Sequence, residues 1–321
     1  MDMFDSRSAG VMLAGGESPA FDDPGYVFEL KLDGDRCLAY LDAGKTVLIN
    51  RHSRYVNEYF PELENIHKQV ADRCILDGEL VIGSGRKHDF ARLRSRLGAP
   101  GLAKQNPGAK LLQATFLAFD VLYRGDRDTL ELPLLERKAI LDAIVSEGPR
   151  LATSRFIPER GKDFFTLVAE QGLEGVMAKR ADSVYRMGKR SKDWVKCKNW
   201  DRDAFVVCGY MPSEKANVVS LILGQYEDGA LRYVGHVVLG RKADAYALLA
   251  AQPEAGASLA LPPEEARNRD RITWVVPNLV CQVEFICRTA SGGFRQPVFK
   301  GMLPDVAPGG AVWPEVLSCS D

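Results

Sequence analysis

Lys31 opens the hexapeptide Lys31-Leu32-Asp33-Gly34-Asp35-Arg36 and follows the apolar run Tyr26-Val27-Phe28-Glu29-Leu30. That run reads as a buried strand ending at the lysine. A lysine charge is costly to desolvate, so the residue is either paired with an acid or held partly neutral for chemistry. A neutral lysine amine is a nucleophile, which makes Lys31 the candidate carrier of a covalent intermediate.

Other residues could serve such a nucleophile. Lys179, Arg180, Arg186, Lys189, Arg190, Lys192, Lys196 and Lys198 crowd one stretch, opposed by Asp182 and Asp193. By default a charge run of this kind is a solvated face. Read as a strand, however, Trp194-Val195-Lys196-Cys197-Lys198 puts Lys196 and Lys198 on one side. Two adjacent cations repel unless an anion lies between them, and phosphate suits that place. Near Lys31 they would also favour its neutral form. Glu79, Asp120 and Glu174 are each embedded in apolar runs, where a carboxylate needs a cation or a metal. Taken singly they read as structural salt bridges. Together with the lysines they suit a divalent ion and a polyphosphate. Phe119 is either plain core or a ring on which a base stacks.

The elements that must position these residues read as follows. Residues 1–25, rich in Gly, Ser, Pro and Asp, are expected to form a loop or short arm. Strands are expected over 26–31, 36–42 and 46–50, with a turn at 42–45. Phe60, Leu63, Ile66 and Val70 have helical spacing, which predicts a helix over 58–73. Residues 74–82 read as a strand broken at Asp77-Gly78-Glu79, 90–97 as a basic amphipathic helix, and 99–109 as a Gly- and Pro-rich loop. A strand over 114–123, helices over 133–145 and 161–171, and strands over 174–180 and 193–198 follow. Residues 199–203 are the expected linker. Beyond them lie short strands at 204–210, 218–226, 231–239, 280–287 and 294–299, with one helix at 242–251. That texture suggests a small barrel of the kind that often contacts nucleic acid.

At 321 residues two domains are the natural expectation. No apolar run approaches the ~20 residues of a membrane span, and residues 1–10 have no signal-peptide pattern. The net charge of −1 gives no global attraction to nucleic acid, so any such affinity must be local. Seven cysteines, none in a Cys-x-x-Cys pair, argue against a zinc ribbon or a disulfide framework and suit a reducing cytosol.

Lys-x-Asp-Gly-x-Arg (31–36), Asp-Gly-Glu (77–79), Phe-Asp-x-Leu-Tyr (119–123), Glu-Gly-x-Met-x-Lys (174–179) and Trp-x-Lys-x-Lys (194–198) occur in that order. In this the chain resembles the covalent nucleotidyltransferases, which comprise ATP-dependent DNA ligases, some RNA ligases and mRNA-capping enzymes. The wording is most similar to bacterial ATP-dependent DNA ligases of the ligase D and ligase C type. The stretches 28–34, 183–194, 274–277 and 295–301 add to the likeness, which covers almost the whole chain.

The resemblance implies an α+β nucleotidyltransferase (ATP-grasp-like ligase) domain with antiparallel sheets over 1–199, then an OB-fold β-barrel over 200–321. It implies that Lys31 takes AMP from ATP and that the AMP then passes to the 5′-phosphate of nicked or broken duplex DNA. Glu29 would recognise the adenine amino group, with Leu30 in the same motif, and Phe119 would stack on the base. Arg36 and Glu79 would hold the ribose. Glu174, helped by Asp120, would place Mg2+ or Mn2+. Lys179, Lys196 and Lys198 would contact phosphates, and Arg51 would grip the 5′-phosphate of the nick. Arg295, or Lys300, would orient pyrophosphate. The family pattern Ser-Arg-Asn-Gly is replaced here by Asn50-Arg51-His52-Ser53. A stand-alone, monomeric, cytoplasmic repair enzyme is expected, with end-binding or repair proteins as possible partners. RNA ligase, capping-type guanylyltransferase and a non-catalytic DNA-end-binding module are the rival readings.

Overall fold

The structure, a computed structural model, describes residues 2–83, 93, 96–97, 113–213, 217–240, 244–257, 259–289 and 293–314. The chain divides into two compact units, Met1–Asn199 and Trp200–Asp321. The expected helix over 90–97 falls mostly, and the loop over 99–109 entirely, outside the described residues.

In chain order the first unit comprises β1 (Leu13–Glu17), β2 (Asp23–Leu30), β3 (Asp35–Asp42), β4 (Lys45–Asn50), β5 (Cys74–Ile82), β6 (Ala114–Arg124) and β7 (Arg127–Asp128). Then come helix α1 (Leu134–Ile144), β8 (Leu151–Thr153), β9 (Phe156–Glu159), helix α2 (Gly161–Glu170), β10 (Gly175–Arg180) and β11 (Arg190–Lys198). They build two sheets, ordered β1-β11-β10-β2-β9 and β4-β3-β5-β6-β7, with β8 beside β6. Most ladders are antiparallel; β1 with β11 and β6 with β8 are parallel. Because strand side chains alternate, each sheet has two faces to cover. Leu38, Tyr40, Ile75 and Phe119 of one sheet meet Met177 and Trp194 of the other. The far face of the first sheet, with Phe28, Val176 and Cys197, packs against Val168 of α2. That of the second carries Ala39, Leu76 and Phe116, joined by Leu141 and Ile144 of α1.

Three local expectations are corrected. The first 25 residues are not a loop: Phe4 and Met12 are buried, and Leu13–Glu17 forms an edge strand. Its glycines mark close packing, for a Cβ on Gly15 would stand 2.7 Å from the Ser191 carbonyl. Residues 58–73 do not form an α-helix but three short 3-10 turns, Asn57–Tyr59, Pro61–Leu63 and Ile66–Gln69. Pro61 lacks the amide an α-helix needs there, and the three-residue steps Phe60-Leu63-Ile66 fit a 3-10 period as well. Finally, β5 runs unbroken through Asp77-Gly78-Glu79. The irregularity lies in its partner: Asp77 pairs with Asp120 and Gly78 with Ala118, so Phe119 is the added residue of a β-bulge. Leu122 is a second one, between the pairs Ile75–Tyr123 and Leu76–Val121.

The second unit is a five-stranded antiparallel sheet of β12 (Asp201–Pro212), β13 (Val218–Glu227), β14 (Ala230–Gly240), β15 (Thr273–Phe285) and β18 (Val298–Met302), ordered β14-β13-β12-β15-β18. A separate pair, β16 (Cys287–Arg288) and β17 (Phe294–Arg295), and helix α3 (Asp244–Ala250) accompany it. Among the described residues no ladder joins β14 to β18, so the expected barrel is an open OB-type sheet. The expected linker is corrected too: β12 starts at Asp201, which leaves Asn199 and Trp200 between β11 and β12. The six described cysteines are free and buried, and no described helix is long and apolar enough to cross a membrane.

Candidate active site

Three neighbouring strands bring the site together. β2 pairs with β10 and β10 with β11, so Glu29, Met177 and Lys196 stand in one row across the sheet. Gly175 is paired with Lys198, and its carbonyl accepts the Lys31 amide at 2.9 Å. Alternation then puts Glu29, Lys179, Trp194, Lys196 and Lys198 on the face that meets the second sheet.

Lys31 lies one residue past the end of β2, and its Nζ donates to Glu174 Oε1 at 2.5 Å. Its side chain is 17% exposed, that of Glu174 only 2%. Glu174 Oε2 is buried without a hydrogen bond, an orphaned oxygen that fits a cation. Lys196 is held below the ordinary lysine range by burial and then by the charges of Lys31, Lys198 and Arg190. Lys198 Nζ meets Glu17 Oε2 at 3.0 Å. The two motif lysines therefore flank Lys31 with positive charge.

Gly34 shows why the hexapeptide carries a glycine. A Cβ there would sit 2.2 Å from the Leu80 carbonyl oxygen and 2.7 Å from Glu79 Cγ. This close approach lets the chain turn from β2 into β3 directly over Glu79. Burial pushes the Glu79 carboxyl up to about 8, although Arg36 and Lys31 pull it down. The folded protein thus holds a proton that the unfolded chain releases near ~4.3. The stability this contributes is full below that value and falls as pH rises toward the folded value. Glu79→Gln, which cannot ionise, is expected to remove that share of the decline, as thermal melts between about pH 5 and 8 will check.

Arg36, expected at the ribose, is held by protein partners. It donates to both oxygens of Asp77 at 2.6 Å and to the Met12 carbonyl at 3.1 Å. Asp77, wholly buried, also accepts from Tyr185 Oη at 2.5 Å, and that hydroxyl accepts from the Met12 amide at 2.9 Å. Asp77 and Tyr185 are neighbours of Arg36 that sequence reasoning missed. A second carboxylate two residues before Glu79, in the same buried run, was the available signal.

Phe119, re-aimed by its bulge, faces the same space. The Arg36 guanidinium lies 4.5 Å from its ring centre and Lys179 Nζ 4.3 Å. Lys179 is buried and held down to about 8, chiefly by burial, and it donates to Glu29 Oε2 at 3.0 Å. Lys138 of α1, also missed from sequence, meets Glu29 Oε1 at 2.8 Å. Burial alone would raise the Glu29 carboxyl; the two lysines outweigh it and hold the group below the usual range.

Several expected residues fall elsewhere. Leu30 pairs with Val176 and turns its side chain to the opposite face, packed with the Phe28 cluster. Asp120, expected to help place the metal, has both its oxygens on Arg137, at 2.7 and 2.9 Å, and both side chains are fully buried. Among the described residues no three His, Cys, Asp or Glu side chains gather as a metal cluster. The orphaned Glu174 oxygen leaves room for a cation, whereas the Asp120 oxygens are engaged by Arg137. Arg295 lies on β17 of the second unit, and Lys300 meets Glu284 there at 3.0 Å.

Arg51 is exposed in the turn after β4, its amide donating to the Arg36 carbonyl at 3.0 Å. Ser53, where the family pattern has glycine, keeps the backbone a glycine would take, with φ of 60°. Ser53→Gly is expected to raise stability by about 0.5 kcal/mol, measured by denaturant unfolding, because relief of left-handed strain slightly exceeds the added unfolded-state entropy.

Two family models match the chain: one described as ATP dependent DNA ligase domain over residues 18–198, the other as ATP dependent DNA ligase C terminal region over 214–306. The multifunctional non-homologous end joining protein LigD of Mycolicibacterium smegmatis is 29% identical over 298 residues, 90% of this chain and 37% of that protein. LigD of Pseudomonas aeruginosa is 32% identical over 87% of this chain and 34% of its own length. The chain thus spans little more than a third of these relatives. DNA ligase C1 of M. smegmatis is 33% identical over 74% of this chain and 71% of that one. A solved structure described as mycobacterial DNA ligase D complexed with ATP and MES superposes with a TM-score of 0.55 at 28% identity, covering 97% of this chain and 99% of that one.

Proposed function

Because the chain belongs to the ATP-dependent DNA ligase family, we propose that it seals 5′-phosphate/3′-hydroxyl nicks in duplex DNA through AMP carried on Lys31. The observation that carries this reading is the setting of Lys31 beside Glu174, flanked by Lys196 and Lys198.

In the first step the Lys31 amine attacks the α-phosphorus of ATP, a phosphorus–nitrogen bond forms and pyrophosphate leaves. Glu174, 2.5 Å from the amine, is the nearest group to take its proton. Lys196 and Lys198 meet the negative charge that builds on the phosphate oxygens. A divalent ion held at Glu174, Mg2+ or Mn2+, would supply further charge neutralisation. In the second step the 5′-phosphate at the nick displaces Lys31 and takes the AMP, with Arg51 at that phosphate. In the third the 3′-hydroxyl attacks the 5′-phosphate and AMP departs.

Glu29 toward the adenine amino group and Phe119 toward the ring remain the assigned roles. Both need Lys179, now over Phe119 and bonded to Glu29, to yield when the base enters. The names of the LigD relatives support extending the substrate to broken ends, in repair by end joining with end-binding partners.

Incubation with α-labelled ATP and magnesium, followed by a denaturing gel, tests the first step. Label on the protein that is chased into nicked DNA is the expected result. Absence of label sinks the reading, label from GTP alone points to capping chemistry, and transfer only to nicked RNA points to an RNA ligase.

A further inference from the structure

The five residues after β4, Arg51-His52-Ser53-Arg54-Tyr55, are all exposed, Tyr55 to 63%. They are not loosely held. The Asn50 amide donates to the Arg54 carbonyl at 2.9 Å, and the Ser53 amide to the Asn50 carbonyl at 2.9 Å. Asn50 Oδ1 accepts from the amides of His52 and Arg54 at 3.0 and 3.1 Å. Ile49 and Tyr55 form an antiparallel bridge, and Val56 is buried just beyond. The turn is also tied to the site, since the Arg51 amide bonds the carbonyl of Arg36.

A braced turn thus displays two guanidiniums and a phenol ring, and among the described residues neither Arg51 nor Arg54 meets a carboxylate. Exposed arginines within four residues of an exposed ring suit a ligand that alternates phosphates with flat apolar surfaces, which is a nucleic-acid strand. An acidic protein surface would satisfy the arginines and leave the ring unused.

We propose that Arg54 and Tyr55 form a strand-gripping surface for nicked duplex DNA, with the Arg54 guanidinium on a backbone phosphate and the Tyr55 ring against the sugar or base of a neighbouring nucleotide. This rests on the DNA ligase reading and extends the contact surface beyond Arg51. Rigidity matters here, because a turn fixed by backbone bonds loses little freedom when the strand arrives.

The test is binding of a labelled 5′-phosphorylated nicked duplex to the full chain between 50 and about 200 mM salt. Self-adenylation, which needs no DNA, is run in parallel as the check on folding. Arg54→Ala is expected to lower the slope of log affinity against log salt by about one. Tyr55→Ala is expected to weaken binding roughly 5- to 150-fold with the slope unchanged, and Tyr55→Phe to restore it. Tyr55→Ala that binds and seals like the parent overturns the surface, as does a loss of label in proportion to the loss of binding. An acidic-protein partner would show as Arg54 dependence on that partner with no effect of either variant on DNA, which also overturns it. If the parent chain takes label yet binds no nicked DNA, the ligase reading fails and the surface fails with it.

Discussion

Lys31→Ala is expected to leave no label on the protein after incubation with α-labelled ATP, a fall on the order of 10^4-fold or more in the rate of adenylation. No other described lysine can substitute. Lys196 and Lys198 leave the sheet from β11, across β10 from Lys31, and Lys179 is buried against Glu29. The alanine variant also strips the Glu174 carboxylate of the one hydrogen-bond donor it has among the described residues, so it is expected to be somewhat less stable. Lys31→Arg separates the two effects. A guanidinium keeps a cation beside Glu174 but stays protonated, so it cannot attack phosphorus. Lys31→Arg should melt near the parent and be equally unlabelled. Label surviving in either variant would move the nucleophile elsewhere.

The second large effect is structural. Asp120→Ala should destabilise the first unit by about 3–5 kcal/mol, because it leaves the fully buried Arg137 charge without its partner. For a unit of this size that is a drop in Tm of roughly 10 °C. The magnesium concentration needed for half-maximal labelling, measured below the new melting point, should stay where it was. A metal ligand would behave in the opposite way, with Tm unchanged and the magnesium requirement raised about tenfold. The experiment therefore decides between the sequence expectation for Asp120 and the ion pair seen in the fold.

How much of this was legible beforehand follows from the range of each interaction. The shared face of Lys196 and Lys198 was readable because two-residue alternation within one strand is local. The awkward acid Glu174 was readable as a buried carboxylate. Its partner was one of the two possibilities for Lys31 from the start. What stayed hidden depends on residues far apart in the chain. Lys138 reaches Glu29 from helix α1, and Tyr185 reaches Asp77 across 108 positions. The Arg137 partner of Asp120 was hidden for the same reason: apolar surroundings signalled a need for a cation, but nothing local says whether arginine or metal supplies it. The N-terminal glycines misled because a residue that permits a loop equally permits two backbones to touch.

Strand β6 behaves like a message with two frameshifts. Before Phe119, the residues that face the outer core are even-numbered, Ala114, Phe116 and Ala118; after it, that layer is filled by odd-numbered Val121. Leu122 shifts the count again, and Tyr123 joins Phe119 and Leu122 in the inner layer. Each added residue exchanges inside for outside, and the second cancels the first. Length changes in this strand are therefore tolerated only in compensating pairs. Removing both added residues would heal the ladder and keep the outer core, while erasing the ring that the first shift delivers to Arg36 and Lys179.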